Sequence, residues 1–186
     1  LILRELQDTV TIFDVCRVLQ RAEMVHRIQN EVTPIIIELG TEGRLLQLQL
    51  QETVQPLKEA SLVIRDYYRE RTGVTADTVA ERINALSQEE LMNLGCISQA
   101  LGYGPNPRSV DSYMMPRGYH ILHAINRLQS QIIDNLVKQF GTLRAIIAAN
   151  KEKLVEVDGV GEVMAERIRS GIALLIAQVS NTGDNL

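Results

Sequence analysis

The sequence predicts an all-α protein built from two helical parts. Apolar residues recur three or four positions apart through most of the chain, which is the spacing of one helix face. The clearest run extends from Ile12 to Leu39 and predicts one long amphipathic helix, which Pro34 is expected to kink or split. Residues 102–107, rich in glycine and proline, interrupt the pattern and separate the two parts.

Shorter helices are predicted after the long one. Gly40 suits a helix C-cap and Thr41 a new N-cap. Leu46, Leu48 and Leu50 alternate as in a strand, but no partner strand is visible, so a helix is favoured there. Further helices are indicated by apolar residues at helical spacing, which are Leu57, Ala60, Ile64 and Tyr67, then Val79, Ile83 and Leu86.

A capping-box pattern, Ser87 with Glu90, predicts another helix that opens at Leu91. Pro116 suits the first helical position of the second part. The chain is therefore divided into a helical bundle (1–104), an irregular connection (105–115), a second helical domain (116–179) and a polar tail expected to fray (180–186).

The second domain contains the most specific motif of the chain, a tight glycine turn between two helices. Gly159 and Gly161 bracket Val160, which can turn inward as a plug, while Leu154 and Ala165 flank the turn at helical spacing. The turn and the start of the next helix aim free backbone N–H groups outward, where the helix dipole favours an anion. The pattern is that of a helix-hairpin-helix motif, and a DNA phosphate is the candidate anion.

An offset of 32 residues relates this motif to an earlier copy. The matching apolar positions are Leu122 with Leu154, Ile125 with Val157, Leu128 with Val160, Ile133 with Ala165, and Leu136 with Ile168. Arg127 and Gln129 occupy the two glycine positions, so the copy is predicted to keep the packing but lose the permissive backbone. Arg127, Gln129 and Ser130 are candidates for phosphate contacts through side chains. A connector that ends at Ala149 joins the copies, which predicts a tandem helix-hairpin-helix domain.

Charge is distributed unevenly along the chain, whose formal net charge is −4. Residues 116–186 contain eight basic and seven acidic residues, whereas residues 1–115 contain eleven and sixteen. This balance argues against a uniformly basic nucleic-acid binder and predicts modest, salt-sensitive binding. Glu162, directly after the turn, is expected to repel phosphate, whereas Arg167 and Arg169 are expected to add favourable charge.

Other reactive residues suggest no catalytic site. Cys16 and Cys96 match no metal or redox spacing and are expected to be reduced, buried thiols of a cytosolic protein. His120 and His123 are three apart, but no third ligand is nearby, so no metal site is predicted. No segment is predicted to span a membrane. A solvated, ion-paired face is predicted for Arg65, Asp66, Arg69, Glu70 and Arg71.

Longer segments resemble the DisA family of bacterial DNA integrity scanning proteins. Residues 18–25 (VLQRAEMV) and 38–45 (ELGTEGRL) are similar to the linker domain of that family. Residues 101–104 (LGYG) and 116–119 (PRGY) are similar to its junction into the DNA-binding end. The resemblance covers essentially the whole chain and implies a helical linker bundle followed by a tandem helix-hairpin-helix domain.

The resemblance implies a function for the parent protein. The family is a diadenylate cyclase that makes cyclic di-AMP from two ATP with a divalent metal such as Mg or Mn. Its catalytic domain carries Asp-Gly-Ala and Arg-His-Arg motifs, and neither tripeptide occurs in this sequence. The chain is therefore expected to be a fragment that lacks the cyclase and needs no cofactor. The parent is expected to be cytoplasmic and nucleoid-associated, to act in DNA repair, and to form an octamer through its cyclase domains.

The implied partner is branched or junction DNA. In the family, this DNA suppresses the synthesis of cyclic di-AMP, and the two hairpins contact phosphates on both strands across a minor groove. Three function classes remain open for this chain. The leading one is a DNA-binding and coupling module; the others are an interaction or oligomerisation scaffold with degenerate hairpins, and an enzyme in its own right. Gly159 and Gly161 can also form only a tight turn between helices, and the earlier copy can be purely structural.

Overall fold

The computed structural model describes residues 1–52, 54–106 and 111–183, and these residues form twelve helices and no β-strand. The all-α prediction is confirmed. The helices in chain order are α1 (Ile2–Leu6), α2 (Ile12–Leu39), α3 (Arg44–Glu52), α4 (Val54–Tyr67), α5 (Ala76–Asn84), α6 (Gln88–Met92), α7 (Leu94–Ala100), α8 (Tyr119–His123), α9 (Ser130–Phe140), α10 (Leu143–Ala148), α11 (Lys151–Val155) and α12 (Glu162–Gly183).

The chain divides into two compact units. The bundle unit is Thr11–Ser112, and the hairpin unit combines Leu1–Val10 with Tyr113–Leu186. Among the helices of the described ranges, none is both long and apolar enough to cross a membrane.

Helix α2 organises the bundle unit. Thr11 and Asp14 form a capping box at its start, in which the Asp14 N–H donates to Thr11 Oγ1 (3.3 Å) and the Thr11 N–H donates to the Asp14 carboxylate (3.0 Å). The apolar face of α2 packs against α4 and α7. Pro34 lies inside the helix, which is not split and ends at Leu39, where Gly40 serves as the predicted C-cap with φ 57°.

The other predicted helices of the bundle are present, but several ends differ. Helix α3 confirms that the alternating leucines are helical. Thr41 is not its N-cap, because Thr41 lies in a turn where its carbonyl accepts the Arg44 N–H (3.3 Å). Helix α4 ends at Tyr67 rather than near Gly73, and the Arg69 N–H donates to Leu101 O outside any helix (2.9 Å).

The predicted capping box of Ser87 and Glu90 is confirmed, with the Ser87 N–H 2.7 Å from the Glu90 carboxylate. The pKa of Glu90 is lowered, mainly by the hydrogen bond from the Ser87 backbone and to a smaller extent by the hydrogen bond from the Ser87 side chain. The helix that this box opens is α6, which starts at Gln88 and is only five residues long. A new helix, α7, follows at once because the Asn93 side chain accepts the Gly95 N–H (2.9 Å).

Both cysteines are free thiols. Cys16 is buried in the bundle core, and this burial raises the pKa of its thiol to about 12. Cys96 is only half-buried, which differs from the expectation that both thiols are buried.

The first ten residues pack with the hairpin unit, whereas the sequence-based division grouped them with the bundle over 1–104. Helix α1 contacts α8. Glu5, which is 1% exposed, places its carboxylate 2.7 Å from His120 Nδ1 on α8. The Met114 N–H donates to Val10 O (2.9 Å), and Val10 is fully buried. These buried contacts join two segments that are more than a hundred residues apart in sequence.

Pro116 does not start a helix. It is buried, and its carbonyl accepts the Leu143 N–H (2.9 Å). The chain turns at Gly118, with φ 120°, and α8 begins at Tyr119. At the other end, α12 continues to Gly183, so residues 180–183 are helical rather than frayed. Residues 107–110 of the predicted connection and residues 184–186 of the predicted tail lie outside the described ranges.

The hairpin unit has one apolar core to which both copies of the repeat contribute. Helix α8 packs on α9 and α12, α9 packs on α10, and α11 packs on α12. The predicted connector is confirmed, since α9 ends at Phe140, Gly141 (φ 75°) follows and Thr142 caps α10. The buried core residues are Leu122, Ile125, Ile132, Ile133, Leu136, Val137, Ile146, Ala149, Leu154, Val157, Val160, Ala165, Ile168 and Ile172.

Candidate functional site

Two turns of the hairpin unit follow the same backbone path. We call residues 124–129 hairpin 1 and residues 156–161 hairpin 2. The Ile125 N–H donates to Leu122 O and the Val157 N–H donates to Leu154 O, both at 3.1 Å. Each hairpin is preceded by a five-residue helix and followed by a longer one, at the offset of 32 residues that the sequence predicts. The repeat is therefore a repeat of structure as well as of apolar pattern.

Each hairpin contains one residue in the left-handed region at the same place. Gly159 has φ 80° in hairpin 2, and Arg127 has φ 61° in hairpin 1. The copy was predicted to lose the permissive backbone, but it keeps the conformation by holding an arginine where glycine is favoured. A left-handed conformation costs an L-residue about 1–2 kcal/mol. Strain of this kind persists where the surrounding structure fixes the backbone, and it is concentrated at functional sites.

The structure restricts the two glycines of hairpin 2 to different degrees. Gly159 is left-handed, and a Cβ there would lie 2.8 Å from Ile132 Cδ1 on α9. Gly161 is outside the left-handed region, and a Cβ there would meet no atom within 4 Å. Val160 between them is 4% exposed, so its predicted role as an inward plug is confirmed. The fold needs glycine at 159, whereas the space above 161 is open.

The helices that follow the hairpins differ from most others at their first turn. In the part of the chain that the structure describes, six helices begin with a side chain that accepts a backbone N–H of the helix, whereas α1 and α8 do not. The six capping residues are Thr11, Thr75, Ser87, Asn93, Thr142 and Asn150. Gln129, the N-cap of α9, makes no such bond. Gly161, the residue before α12, has no side chain to make one. The N-cap side chains therefore do not occupy the first N–H groups of α9 and α12, and such groups are a favourable position for an anion.

The residues around hairpin 1 form an exposed group. Arg127, Gln129 and Ser130 are all exposed, and they lie within four consecutive positions at the start of α9. Hairpin 2 is fixed to the same helix, because Asn135 Nδ2 on α9 donates to Asp158 O (2.8 Å). Sequence reasoning missed Asn135, since nothing in the local pattern indicates a contact 23 residues away.

The surface beside hairpin 2 has a balanced charge that the sequence did not reveal. Glu162 is not an isolated negative charge, because Lys151 Nζ lies 3.0 Å from its carboxylate. Lys151 begins α11, and Glu162 begins α12. Because α11 is short, the long lysine side chain can reach across the turn to Glu162. An open concavity of about 450 Å³ beside hairpin 2 is lined by Lys151, Glu162, Val163, Glu166, Arg167 and Ser170. It contains two cations and two carboxylates.

Two family models match the chain in the same order as its units. A model described as the DisA bacterial checkpoint controller linker region matches residues 1–110, which is more than half of the chain. The chain belongs to the DisA family. A model described as a helix-hairpin-helix motif matches residues 130–172, which include α9, hairpin 2 and the first half of α12.

Known DisA proteins are similar over almost all of this chain. Identity is 45% to the DNA integrity scanning protein DisA of Streptomyces griseus, over 92% of this chain and 47% of the relative. It is 44% to the protein of that name from Clostridium tetani, over 95% and 48%, and 40% to that from Clostridium botulinum, over 94% and 49%. The chain thus spans about half the length of the curated relatives it matches.

Not all predicted site residues of this DisA chain come together. Arg167 lines the concavity beside hairpin 2 and is half-buried. Arg169 is exposed but is not among the residues that line this concavity, and it lies about two turns beyond Glu162 along α12. Of the two arginines, only Arg167 lines the concavity with Glu162. His120 binds Glu5, and His123 Nδ1 lies 2.8 Å from Tyr119 O. Within the described ranges, no three His, Cys, Asp or Glu residues form a group suited to a metal ion.

Proposed function

We propose that this chain is the DNA-binding module of a DisA protein and that its two hairpins bind phosphates of the DNA backbone. The observation that carries the proposal is the duplicated hairpin. Two turns with one backbone path each end in a helix whose first N–H groups lack a side-chain cap. Backbone N–H groups at the start of a helix are a common phosphate site, because the dipole favours negative charge there.

The two hairpins are proposed to bind phosphate in different ways. Hairpin 2 offers the backbone of Gly159, Val160 and Gly161, with Arg167 contributing charge from the adjoining surface. Hairpin 1 offers the side chains of Arg127 and Gln129, together with Ser130. A guanidinium that donates to a phosphate forms a charge-assisted bond, which is stronger than a neutral one. This use of Arg127 accounts for a left-handed arginine in place of glycine.

Contacts of this kind position a duplex but do not read its bases. The groups proposed to contact DNA are backbone N–H groups and polar or cationic side chains, which suit phosphate and sugar oxygens, whereas Glu156 and Asp158 of hairpin 2 are exposed carboxylates that would repel them. We therefore propose binding without sequence specificity and a preference for branched or junction DNA. A junction brings several strands close together, so it can occupy both hairpins, or several modules of an assembly, at the same time.

For the whole protein, we propose that this module is joined to a diadenylate cyclase that makes cyclic di-AMP from ATP and acts in DNA repair at the nucleoid. The bundle unit, which matches the DisA linker region, would connect the DNA-bound hairpins to that domain. An octamer assembled through the cyclase would present eight such modules. Simultaneous engagement would then raise the affinity well beyond that of one chain.

The proposal predicts that two variants weaken DNA binding without unfolding the chain. Gly161→Ser gives α12 an N-cap hydroxyl that accepts the N–H groups proposed for phosphate, and affinity is expected to fall about two- to fivefold. Arg127→Gln removes the cation of hairpin 1, and affinity is expected to fall about three- to tenfold, with the salt slope reduced by about 0.9. The measurement is a fluorescence titration of each chain against a four-way junction and a linear duplex at two salt concentrations.

Arg21→Gln is the matched control for charge, because Arg21 is exposed on α2 in the bundle unit. It is expected to bind both DNAs as the unchanged chain does. Equal losses from Arg21→Gln and Arg127→Gln would contradict the role of hairpin 1. Absence of binding to either DNA would favour the alternative, a protein-interaction scaffold. The observation that favours this alternative is an exposed apolar side chain, that of Val163, which is 76% exposed beside hairpin 2.

Glu162→Gln is predicted to strengthen DNA binding by roughly three- to tenfold at low salt. The change removes a carboxylate beside the proposed phosphate position and releases Lys151 from its ion pair. Both side chains are at least one-third exposed, so the pair contributes little to stability and the fold should be unaffected. The same titration measures the gain.

Lys151 provides the control for this gain. Lys151→Gln alone is expected to change affinity less than twofold, because Glu162 already neutralises it. In the Glu162→Gln background the same change should remove most of the gain, so the two substitutions are not additive. Glu166→Gln removes an equal charge one turn further along α12. A gain from Glu166→Gln as large as that from Glu162→Gln would mean that net charge, rather than the Lys151 pair, limits binding.

A further inference from the structure

Three arginines line one concavity in the bundle unit. The concavity has a volume of about 370 Å³ and is lined by Arg69, Arg71, Val74, Arg82, Gln99, Gly102, Tyr103 and Gly104. None of these residues is acidic. The ion-paired face predicted for Arg69 and Arg71 is not formed, because Asp66 is buried and neither arginine has a carboxylate partner within the described ranges.

The backbone holds these arginines in place. Arg69 and Arg71 follow the end of α4, where the Arg69 N–H donates to Leu101 O (2.9 Å) and Arg71 Nη2 donates to Gly102 O (3.3 Å). Gly102 has φ 96°, and a Cβ there would lie 3.0 Å from Arg69 Cβ. Glycine at 102 thus allows Arg69 to lie directly over the loop. Arg82 reaches the same concavity from α5.

The loop that forms the floor is fixed by side-chain hydrogen bonds. The Tyr103 hydroxyl donates to Tyr67 O (2.7 Å), and Ser98 Oγ donates to Gly104 O (2.8 Å). The Tyr103 N–H also donates to Ser98 O (2.9 Å). The wall of the concavity is therefore formed before any ligand arrives, so little ordering is needed on binding.

The charge of the concavity contrasts with that of its surroundings. Residues 1–115 contain sixteen acidic and eleven basic residues, yet three of the basic ones meet here without a carboxylate. Glu90 lines the neighbouring concavity, which shares Arg82 and Gln99, but its carboxylate accepts the Ser87 N–H and serves as a cap. Guanidinium groups that line one concavity repel one another, and an anion between them reduces this repulsion.

We propose that this arginine cluster is a binding site for a compact phosphate group. Planar guanidinium groups match the oxygen geometry of phosphate and can donate two hydrogen bonds to it, and clusters of them are characteristic of phosphate recognition. A free phosphate compound and a phosphate of a nucleic-acid backbone present the same chemistry to the cluster. The site lies in the bundle unit and does not depend on the function proposed for the hairpins.

The test uses the whole 186-residue chain with pyrophosphate as the probe. Calorimetry in a low-salt chloride buffer should show saturable binding, and NMR should show shifts of the Gly102 and Gly104 amides. Arg82→Gln and Arg69→Gln are expected to weaken binding at least fivefold, since each removes a charge-assisted contact. Arg71 is left unchanged because it also holds the loop. Arg21→Gln, the matched exposed control on α2, should bind within twofold of the unchanged chain.

A second arm identifies the source of the phosphate. If Arg82→Gln also weakens duplex binding and lowers its salt slope, the cluster binds the DNA backbone; if duplex binding is unchanged while pyrophosphate binding falls, the site takes a free phosphate compound. In Arg127→Gln, the shifts of the Gly102 and Gly104 amides on addition of pyrophosphate should remain, which separates this site from hairpin 1. The proposal is overturned if pyrophosphate does not bind and Arg82→Gln leaves duplex binding intact, or if Arg21→Gln weakens binding as much as Arg82→Gln.

Discussion

Glu5→Ala is expected to destabilise the hairpin unit by about 3–5 kcal/mol. The Glu5 carboxylate is fully buried and lies 2.7 Å from Nδ1 of His120, which is itself 7% exposed. Removing one partner of such a pair leaves the other buried without its hydrogen bond, and this is the costly case for buried ionisable groups. The described residues contain no buried side-chain polar atom without a partner, so the substitution would create an exception.

Hydrogen exchange measured by NMR is the suitable readout, because two compact units need not unfold together. Protection should fall in α8 and α9 and remain in α2. Asp8→Ala is the control, since the Asp8–Arg144 pair is longer (3.8 Å) and largely exposed, and it should cost less than about 1 kcal/mol. Replacing both partners, as Glu5→Met with His120→Leu, should recover most of the loss. Equal effects of Glu5→Ala and Asp8→Ala would contradict the buried pair.

The Glu5–His120 pair also shows where sequence reasoning ends. A glutamate in a short helix is normally a surface residue. A five-residue helix is also too short for the spacing of its apolar residues to show which face is buried. The pairing spans 115 positions, so no local pattern indicates it. The first ten residues were consequently grouped with the bundle. The same limit applies to Lys151, whose partner Glu162 is identified only when α11 and α12 are placed side by side.

Most helices, by contrast, follow directly from local physics. The spacing of apolar residues along α2 determines which face is buried, and Gly40 ends the helix because glycine adopts positive φ easily. Helix ends that depend on tertiary contacts were predicted less well. Pro116 has the right chemistry for a first helical position, but Gly118 and the bond from Leu143 to the Pro116 carbonyl delay the helix to Tyr119.

For the site, the sequence indicated the location but not the conformation. The repeat at 32 residues follows from apolar residues that share one core, so Leu122 and Leu154 could be matched without a structure. Residue identity alone suggested that the copy had lost the glycine backbone. The structure shows that Arg127 adopts it, because the flanking helices and the buried Ile125 fix the path of the chain through the turn. Packing of the flanking helices has therefore overridden the preference of an arginine for negative φ.

Gly159→Ala is expected to cost the hairpin unit about 2 kcal/mol, within a range of about 1–3 kcal/mol. An alanine at φ 80° bears the cost of the left-handed region, and its Cβ would lie 2.8 Å from Ile132 Cδ1, which must move. The end of the isoleucine side chain can shift, so the backbone term should dominate. Hydrogen exchange of α9, α11 and α12 measures the loss.

The equivalent position in hairpin 1 should respond in the opposite direction. Arg127→Gly relieves the strain at φ 61°, and the greater freedom of glycine in the unfolded chain offsets part of that gain, so stability is expected to rise by about 0.5 kcal/mol. DNA affinity should nevertheless fall, because the cation is lost. Gly161→Ser, at a position with ordinary φ and open space, should leave stability within about 0.5 kcal/mol. A fall in stability with Arg127→Gly as large as that with Gly159→Ala would mean that the arginine side chain stabilises hairpin 1, and that its left-handed conformation is not retained for binding.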